Sequence, residues 1–395
     1  MRILFINDFP LWGSGSATYL RHLVQELLKL NYKIGIIAPE ERRFLPDKIK
    51  QYKIDLPQIP VFVGHPELKG AKRYSELSNR EITEIYKAYI DTTLEAVDNF
   101  QPDLIHVNHL SLISWVARYI NALTGIKYTI TTHGSCLSNI LENKKYLPLC
   151  RDAVRGAKAI TTPSGDVRSR FRKAFGKEFD KNLYVIPGGV DIKQFPQKID
   201  TSALEKKYNL KGKKVVFFSG RLTSEKGIKY LIRAAKDIEG EIFIAGEGPE
   251  STHIKSYIKR NKLENVHLLG YLPPEELIDF YYRADVFVAP SVAEEALGLS
   301  ILEAMAARTP VIATRKGGIP LLVKHGYNGF FVKHGNSSKI AQACNKILKN
   351  QKLRERMGNN ARKTVEEKFT WEKTAKKFHR LFKKNGNGKN NKSKK

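Results

Sequence analysis

Residues 214–232 read KVVFFSGRLTSEKGIKYLI, and the order of residue types in this segment indicates the fold class. It begins with a short run of β-branched and aromatic residues, Val215 to Phe218, which is typical of a buried parallel strand. A polar loop containing Gly220 follows, and an amphipathic segment begins near Gly227. A strand, a polar loop and a helix in this order form the repeating unit of a doubly wound α/β sheet.

The same alternation runs along the chain in two series. Strands of the first series are predicted at 3–7, 33–37, 103–107, 127–131, 159–162 and 183–186. Strands of the second series are predicted at 214–219, 241–245, 266–269, 286–289, 310–314 and 329–332. Between the series the pattern pauses over a polar stretch from Pro187 to Gly212. The chain is therefore predicted to form two Rossmann-like domains that face each other across a ligand-binding cleft.

The predicted domain boundaries follow from this pause. Residues 1–195 form the N-terminal domain, residues 196–370 form the C-terminal domain, and a helix at 371–383 returns to the N-terminal domain. Residues 384–395 contain no apolar side chain and are predicted to be a disordered basic tail.

The chain is strongly basic. It carries 68 Lys and Arg against 40 Asp and Glu, a net charge of +28 at pH 7, and only six of these lysines lie from Lys383 onward. The charge implies an anionic partner, which is membrane lipid, a phosphorylated acceptor or nucleic acid. Because of this charge, we hypothesise that the protein docks on the inner face of a membrane.

Bulk features exclude several classes of protein. No apolar run has the length of a membrane-spanning helix, and the N-terminus MRILFIND turns polar too soon for a signal peptide. Three cysteines, Cys136, Cys150 and Cys344, lack the spacing of metal ligands. Sparse cysteines in odd number predict reduced thiols and a cytoplasmic protein.

The loop after the strand at 214–219 carries the first candidate site. Arg221 and Lys226 lie close to the start of a helix, where two cations and backbone N–H groups suit a diphosphate. The alternative is a pair of solvated surface cations. The loop is neither a Walker loop nor a GxGxxG motif, so kinase and dehydrogenase functions gain no support.

Residues 291–306, SVAEEALGLSILEAMA, carry the second candidate site. Glu295 and Glu303 would lie about 12 Å apart on a continuous helix. The carboxylates of a retaining glycosidase lie about 5–5.5 Å apart. Gly298 instead predicts that Glu295 lies in a loop and Glu303 inside the next helix, each facing a hydroxyl-rich part of one long ligand. The alternative makes both acids solvated, but Glu303 stands among apolar residues where a carboxylate needs a partner.

Taken together, these motifs resemble the C-terminal domain of the family-4 retaining glycosyltransferases, which belong to group 1 and have the GT-B fold. The resemblance rests on Arg221 with 225–227, on the spacing from Glu295 to Glu303, and on Gly317-Gly318. The N-terminal half resembles the family more weakly, through GSG at 13–15 and THG at 132–134. The resemblance implies an N-terminal acceptor domain and a C-terminal donor domain.

The resemblance also implies roles for the charged residues. Arg221 and Lys226, with Gly220 in the same loop, would bind the donor diphosphate and stabilise the leaving nucleotide. Glu295 would hold hydroxyls of the transferred sugar. Glu303 would accept hydrogen bonds from the ribose.

Further roles are implied for the glycine turns and one histidine. Gly298 and Leu299 would offer N–H groups to phosphate, and the turn at Gly270-Tyr271 would lie beside the nucleotide base. Three residues of the N-terminal domain also have implied roles. Gly13 and Gly15 would let their loop approach the ligand, and His133 would hydrogen-bond the donor sugar.

The reaction that the resemblance implies is transfer of a hexosyl unit from a UDP- or GDP-sugar to a sugar or lipid-linked acceptor, with retention of configuration. No cofactor and no metal are expected, because the cations replace the metal and the chain contains no Asp-x-Asp. Two alternatives stay open: a basic nucleic-acid-binding protein, which the dispersed basic residues disfavour, and a non-catalytic protein that binds nucleotide-sugars.

One basic helix could contact a membrane. Residues 166–177 read DVRSRFRKAFGK, with Val167, Phe171 and Phe175 on one helical face and basic residues around them. This pattern fits a membrane-surface helix, but it fits better a helix that packs on its own sheet with a solvated basic face.

Overall fold

The computed structural model describes residues 1–62 and 71–386. The chain forms two compact units. Unit 1 comprises Met1–Pro187 and the residues from Trp371 onward, and unit 2 comprises Gly188–Thr370. The predicted tail lies outside the described residues from residue 387 on.

Unit 1 is built on a parallel sheet. Its strands are β1 (Arg2–Ile6), β2 (Lys33–Ala38), β3 (Ile49–Lys53), β6 (Leu104–Val107), β7 (Tyr128–Thr131), β8 (Ala159–Thr162) and β9 (Leu183–Val185), while β4 (Pro60–Val61) and β5 (Lys72–Arg73) pair separately. The strand order is β3-β2-β1-β6-β7-β8-β9, with Ile3 opposite both Ile34 and Leu104. The order reverses between β1 and β6, which is the topological switch point of a Rossmann fold.

Helices connect these strands in unit 1. They are α1 (Gly15–Lys29), α2 (Asn79–Phe100), α3 (Ser114–Thr124), α4 (Gly134–Glu142), α5 (Leu147–Gly156) and α6 (Gly165–Phe175). The helix α1 begins at Gly15 because the Ser14 hydroxyl accepts a hydrogen bond from the Ala17 N–H at 3.1 Å. Its apolar face, which includes Leu20, Leu23 and Leu27, is buried.

Unit 2 repeats the design. Its strands are β10 (Val215–Ser219), β11 (Glu241–Ala245), β12 (Val266–Gly270), β13 (Val286–Ala289), β14 (Val311–Thr314) and β15 (Gly329–Val332). Its helices are α7 (Ser202–Lys207), α8 (Ile228–Ala234), α9 (Ser251–Arg260), α10 (Pro274–Arg283), α11 (Leu299–Ala306), α12 (Ile319–Leu322), α13 (Ser337–Leu348) and α14 (Gln351–Lys368). The parallel order β12-β11-β10-β13-β14-β15 reverses between β10 and β13, and one hydrophobic cluster packs on each face of the sheet.

The two crossings between the units lie at Pro187–Gly188 and Thr370–Trp371. The first crossing comes before the boundary predicted at residue 195. The reason is that Val190 and Phe195 are buried in a hydrophobic cluster of unit 2, and the Val190 N–H donates to the Phe369 carbonyl at 2.9 Å.

The last helix, α15 (Trp371–Asn385), belongs to unit 1, where it packs on α1. It continues past residue 383, where the sequence predicted its end. Its buried Phe378 lies against the rings of His106 and Phe382, with centroids 5.6 and 5.4 Å away.

Two other features bear on the predictions from sequence. The strand β3 was not predicted, because its sequence IKQYK is polar and only Ile49 is buried in this edge strand. The helix α6 packs on its own sheet, since Val167, Phe171 and Phe175 are buried. No helix among the described residues is long and apolar enough to span a bilayer.

We predict that α15 is part of the cooperative core of unit 1. The three tryptophans of the chain, Trp12, Trp115 and Trp371, all lie in unit 1, so tryptophan fluorescence reports the unfolding of this unit. Phe378→Ala should lower the free energy of unfolding by about 3–5 kcal/mol, because it removes a buried ring.

Phe280→Ala is the matched control, since Phe280 is equally buried but lies in unit 2. It should change the unfolding transition seen by far-UV circular dichroism more than the transition seen by fluorescence. An unchanged fluorescence midpoint in Phe378→Ala would contradict the assignment of α15.

Candidate active site

Most of the candidate residues of unit 2 lie at the carboxyl end of its sheet. The loop after β10 carries Gly220, Arg221 and Lys226, and the loop after β13 carries Glu295. These two strands flank the switch point, where open α/β sheets bind their ligands.

Lys226 and Glu295 form an ion pair that joins the two loops. The Lys226 Nζ lies 2.6 Å from the Glu295 Oε1, and the Ser291 hydroxyl donates to the same oxygen at 2.7 Å. Burial disfavours the charge of Glu295, whose side chain is only 18% exposed, but the Lys226 ammonium and the Ser291 hydroxyl outweigh it and lower the pKa of Glu295. This carboxylate is therefore ionised at neutral pH.

Two close approaches of backbone hold the pair in place. The N–H groups of Val292 and Ala293 donate to the Glu225 carbonyl at 2.8 and 3.2 Å, which fixes the segment containing Lys226 against the loop of Glu295. The Gly318 N–H donates to the Glu295 carbonyl at 2.7 Å. A Cβ on Gly317, whose φ is +55°, would stand 2.0 Å from the same carbonyl oxygen, so a side chain there would displace Glu295.

Glu303 lies one turn inside α11, in the position predicted from Gly298. The helix begins at Leu299 after Gly298, which has a φ of +101°, so the N–H groups of Leu299 and Ser300 lie at the helix N-terminus. Burial raises the pKa of Glu303 to about 7, and a hydrogen bond from the Tyr281 hydroxyl partly offsets this.

The sequence pattern gave no sign that Tyr281 contacts the candidate site. Its hydroxyl donates to the Glu303 Oε2 at 2.6 Å and also lies 2.6 Å from the Ser219 hydroxyl. In the sequence Tyr281 stands at an apolar position of an amphipathic helix, so the pattern indicates only a core residue. The one sequence feature that could have indicated a polar partner in the core is Ser219, which ends a buried strand.

The turn at Gly270-Tyr271 follows β12 and precedes α10. Gly270 has a φ of +69°, and Tyr271 is 68% exposed. A large exposed aromatic ring at the carboxyl edge of the sheet can stack on a planar group.

Unit 1 places His133 at its own switch-point edge, with three other buried polar residues. His133 directly precedes α4, Asp8 follows β1, and Asn108 with His109 follows β6. The His109 and His133 rings lie 4.9 Å apart. Within the described ranges, no hydrogen-bond partner faces four of their buried atoms: Asp8 Oδ1, Asn108 Oδ1, His109 Nδ1 and His133 Nε2.

These four side chains are uncharged or weakly charged. Burial lowers the pKa of His133 to about 4, although a hydrogen bond to the backbone of Asn108 raises it, and burial likewise lowers the pKa of His109. Burial raises the pKa of Asp8 to about 7, against hydrogen bonds from Ser111 and Tyr74. At pH 7 the two histidines and Asn108 are therefore neutral, while the Asp8 carboxyl is close to its pKa and partly ionised.

Gly13 and Gly15 flank the start of α1 in unit 1. Gly13 has a φ of +82°, and Gly15 is the first residue of the helix. A methyl group on Gly15 would meet no atom within 4 Å, so folding does not require glycine there.

In residues 1–62 and 71–386, no group of three or more His, Cys, Asp or Glu side chains is arranged to hold a metal ion. The three cysteines are free and buried.

Family models match both halves of the chain. The model described as "Glycosyltransferase Family 4" matches residues 13–194, and the model described as "Glycosyl transferases group 1" matches residues 200–364. The chain belongs to the group 1, family 4 glycosyltransferases. It is therefore a transferase enzyme, and the nucleic-acid-binding alternative is not supported.

Relatives of this glycosyltransferase agree with the family models. The uncharacterized glycosyltransferase MJ1607 of Methanocaldococcus jannaschii is 33% identical over 57% of this chain and 59% of its own length. YtcC of Bacillus subtilis, which is also named as a glycosyltransferase, is 30% identical over 71% of this chain and 72% of its own length.

Solved structures confirm the predicted GT-B fold class of two parallel-sheet α/β domains. Sucrose-phosphate synthase of Thermosynechococcus elongatus superposes with a TM-score of 0.81 at 20% identity, over 97% of this chain and 98% of that chain. HepE of Anabaena, solved in complex with UDP-glucose, superposes with a TM-score of 0.75 at 20% identity, over 97% and 100%.

We predict that the ionised form of Glu303 destabilises unit 2. The pKa of Glu303 is raised from its ordinary value of 4.5 to about 7 in the folded enzyme. Between these two pH values the folded state therefore binds more protons than the unfolded state. Stability therefore falls as the pH rises toward 7, and the full penalty is present above it.

Glu303→Gln should remove this penalty and keep an acceptor for Tyr281. The gain in unfolding free energy should be small at pH 5 and reach up to about 3 kcal/mol at pH 8, as measured by urea denaturation followed by circular dichroism. A gain that does not depend on pH would refute the raised pKa.

Proposed function

We propose that this glycosyltransferase moves a hexosyl unit from a UDP- or GDP-sugar to a sugar or lipid-linked acceptor, with retention of configuration and without a metal ion. The observation that carries the proposal is the ion pair of Lys226 and Glu295, held at the switch-point edge of unit 2. A cation and a carboxylate at this edge suit a diphosphate and the sugar attached to it.

The chemistry of group transfer explains the cations. As the glycosidic bond breaks, positive charge develops on the sugar and negative charge on the departing diphosphate. Lys226 and Arg221, together with the N–H groups of Leu299 and Ser300, would stabilise the leaving diphosphate in place of a metal. Glu295, which is ionised, would accept hydrogen bonds from the sugar hydroxyls.

The nucleoside would bind beside these groups. Glu303 would accept hydrogen bonds from the ribose, and the exposed ring of Tyr271 at the Gly270 turn would lie beside the base. That HepE was solved with UDP-glucose supports a sugar nucleotide as the ligand, and it makes UDP-glucose the first probe.

Unit 1 would supply contacts to hydroxyl groups. The edge around His133 offers hydrogen-bonding atoms that have no partner among the described residues. They lie on neutral His and Asn side chains and on a partly ionised Asp8, and they suit a sugar better than a phosphate. The net charge of +28 supports an anionic or lipid-linked acceptor and docking at the inner face of a membrane.

We predict that Lys226→Ala and Glu295→Gln each lower transfer by about 10²–10³-fold, because each removes a group that stabilises developing charge. The measurement is the release of UDP from UDP-glucose, or of GDP from GDP-mannose, with and without EDTA. EDTA should leave the rate of the unmodified enzyme unchanged.

Lys229→Ala is the matched control, because Lys229 is an exposed lysine on the adjacent helix α8. It should retain the full rate. Near-normal rates in both site variants would reject the assignment of the site. A folded enzyme that binds neither nucleotide would reject the proposed function.

We predict that Gly15 serves ligand approach rather than folding. Gly15→Ala should leave the fold intact. It should stabilise the protein by about 0.5 kcal/mol, because alanine lowers the conformational entropy of the unfolded chain. If a ligand contacts this backbone, the variant should nevertheless lower turnover at least tenfold.

The chain offers a close control in Gly165→Ala. Gly165 is likewise the first residue of a helix that follows a strand and a capping serine, and its Cβ would also meet no atom within 4 Å. Equal activity of the two variants would remove Gly15 from the site.

A further inference from the structure

Three side chains from different elements form one hydrogen-bonded chain in unit 2. The Ser219 hydroxyl at the end of β10 lies 2.6 Å from the Tyr281 hydroxyl on α10, which donates at 2.6 Å to Glu303 on α11. Tyr281 is 1% exposed and Ser219 is 7% exposed. The bond between Ser219 and Tyr281 is buried and the bond to Glu303 is partly buried, so water competes only weakly for them.

The direction of this chain follows from the number of protons. An ionised carboxylate only accepts hydrogen bonds, so the single hydroxyl proton of Tyr281 points to Glu303. The Tyr281 oxygen is then free to accept, and the Ser219 hydroxyl donates to it. Within the described part of the chain, Glu303 uses Oε2 for this bond, while no bond to its Oε1 occurs.

The tyrosine is itself held rigidly. Its backbone carbonyl accepts a hydrogen bond from the Thr309 hydroxyl at 2.6 Å. The rings of Phe217 and Phe287 pack against it, with centroids 5.2 and 5.7 Å away. A ring confined in this way holds its hydroxyl in one position, and so it restricts the rotation of the Glu303 carboxylate.

We propose that Tyr281, aligned by Ser219, is a positioning residue that holds Glu303 as a carboxylate with Oε1 directed to the donor nucleoside. The inference rests on the proposed function, because that function makes the ribose the ligand of Glu303. It adds a link between the loop of Arg221, which directly follows Ser219, and the carboxylate on α11.

The electrostatic surroundings leave Tyr281 as the main polar influence on Glu303. The strands packed against α11, β13 and β14, contain no titratable residue, and Arg362 on α14 is bound to the Phe195 and Ala306 carbonyls. Glu295 is paired with Lys226. Burial raises the pKa of Glu303 to about 7, and the Tyr281 hydrogen bond opposes this rise. Removing that bond should therefore raise the pKa further.

The test measures affinity for UDP-glucose, with GDP-mannose in parallel, by calorimetry between pH 5.5 and 9. Ribose hydroxyls donate to the ionised form of Glu303, so the affinity of the unmodified enzyme should weaken as the pH falls below about 7. In Tyr281→Phe the midpoint should move up by about one pH unit, and Kd at pH 7 should weaken roughly fivefold. At pH 9, where Glu303 is ionised in both proteins, the difference should shrink to the part that comes from the lost orientation of Oε1.

Three further variants make the result specific. Ser219→Ala should move the midpoint in the same direction by a smaller amount, and Glu303→Gln should abolish the pH dependence. Tyr282→Phe is the matched control, because it removes a hydroxyl that binds the Pro196 carbonyl from the next position of the same helix. Its midpoint should equal that of the unmodified enzyme.

In turnover, Tyr281→Phe should raise KM for the donor at pH 7 and leave kcat nearly unchanged.

A second readout requires no ligand. The pH dependence of the stability difference between a protein and its Glu303→Gln counterpart gives the pKa of Glu303, and Tyr281→Phe should raise it. An unmoved midpoint in both readouts would overturn the inference. If neither sugar nucleotide binds to the unmodified enzyme, the proposed function fails, and the ligand-free readout still decides whether Tyr281 acts on Glu303.

Discussion

The ion pair of Lys226 and Glu295 ties together the two loops at the switch point of unit 2. A partly buried pair of this kind adds little stability, because the desolvation of both charges offsets their attraction. The structure nevertheless surrounds it with specific support, including the Ser291 hydroxyl and the close backbone approach at Gly317. Such an arrangement is understandable when the charges serve a ligand, since both groups are already oriented and partly desolvated before it binds.

The two carboxylates of the site differ in their electrostatics although they lie in one short segment. Glu295 faces an ammonium group and has a lowered pKa, whereas Glu303 faces a phenol hydroxyl and has a raised one. The first is a permanent anion under physiological conditions. The second carries a charge that becomes more favourable when hydroxyl donors approach. The difference suits a fixed partner for a reacting sugar in one case and an adaptable acceptor for a ribose in the other.

The sequence was sufficient to predict the buried parallel strands and the loops that carry the candidate site. Buried strands such as β10 and β13 are continuous apolar runs, and the geometry of a parallel sheet brings the loops after them to one edge. The polar edge strand β3 lacks this signal. The contact of Tyr281 could not be predicted either, because its partners lie 62 and 22 residues away in the chain. Only the packing of three elements reveals that a core position carries a hydrogen bond to the site.

The same topology produces different surfaces in the two units. In unit 2 the residues after the switch-point strands bring opposite charges together, while in unit 1 burial keeps His133 neutral and Asp8 only partly ionised at pH 7. Charge requires a charged or strongly polar ligand, whereas uncharged nitrogen and oxygen atoms without partners are satisfied by hydroxyl groups. The chemistry that each sheet edge offers to a ligand can therefore be understood, one unit at a time, from the protonation states of its side chains.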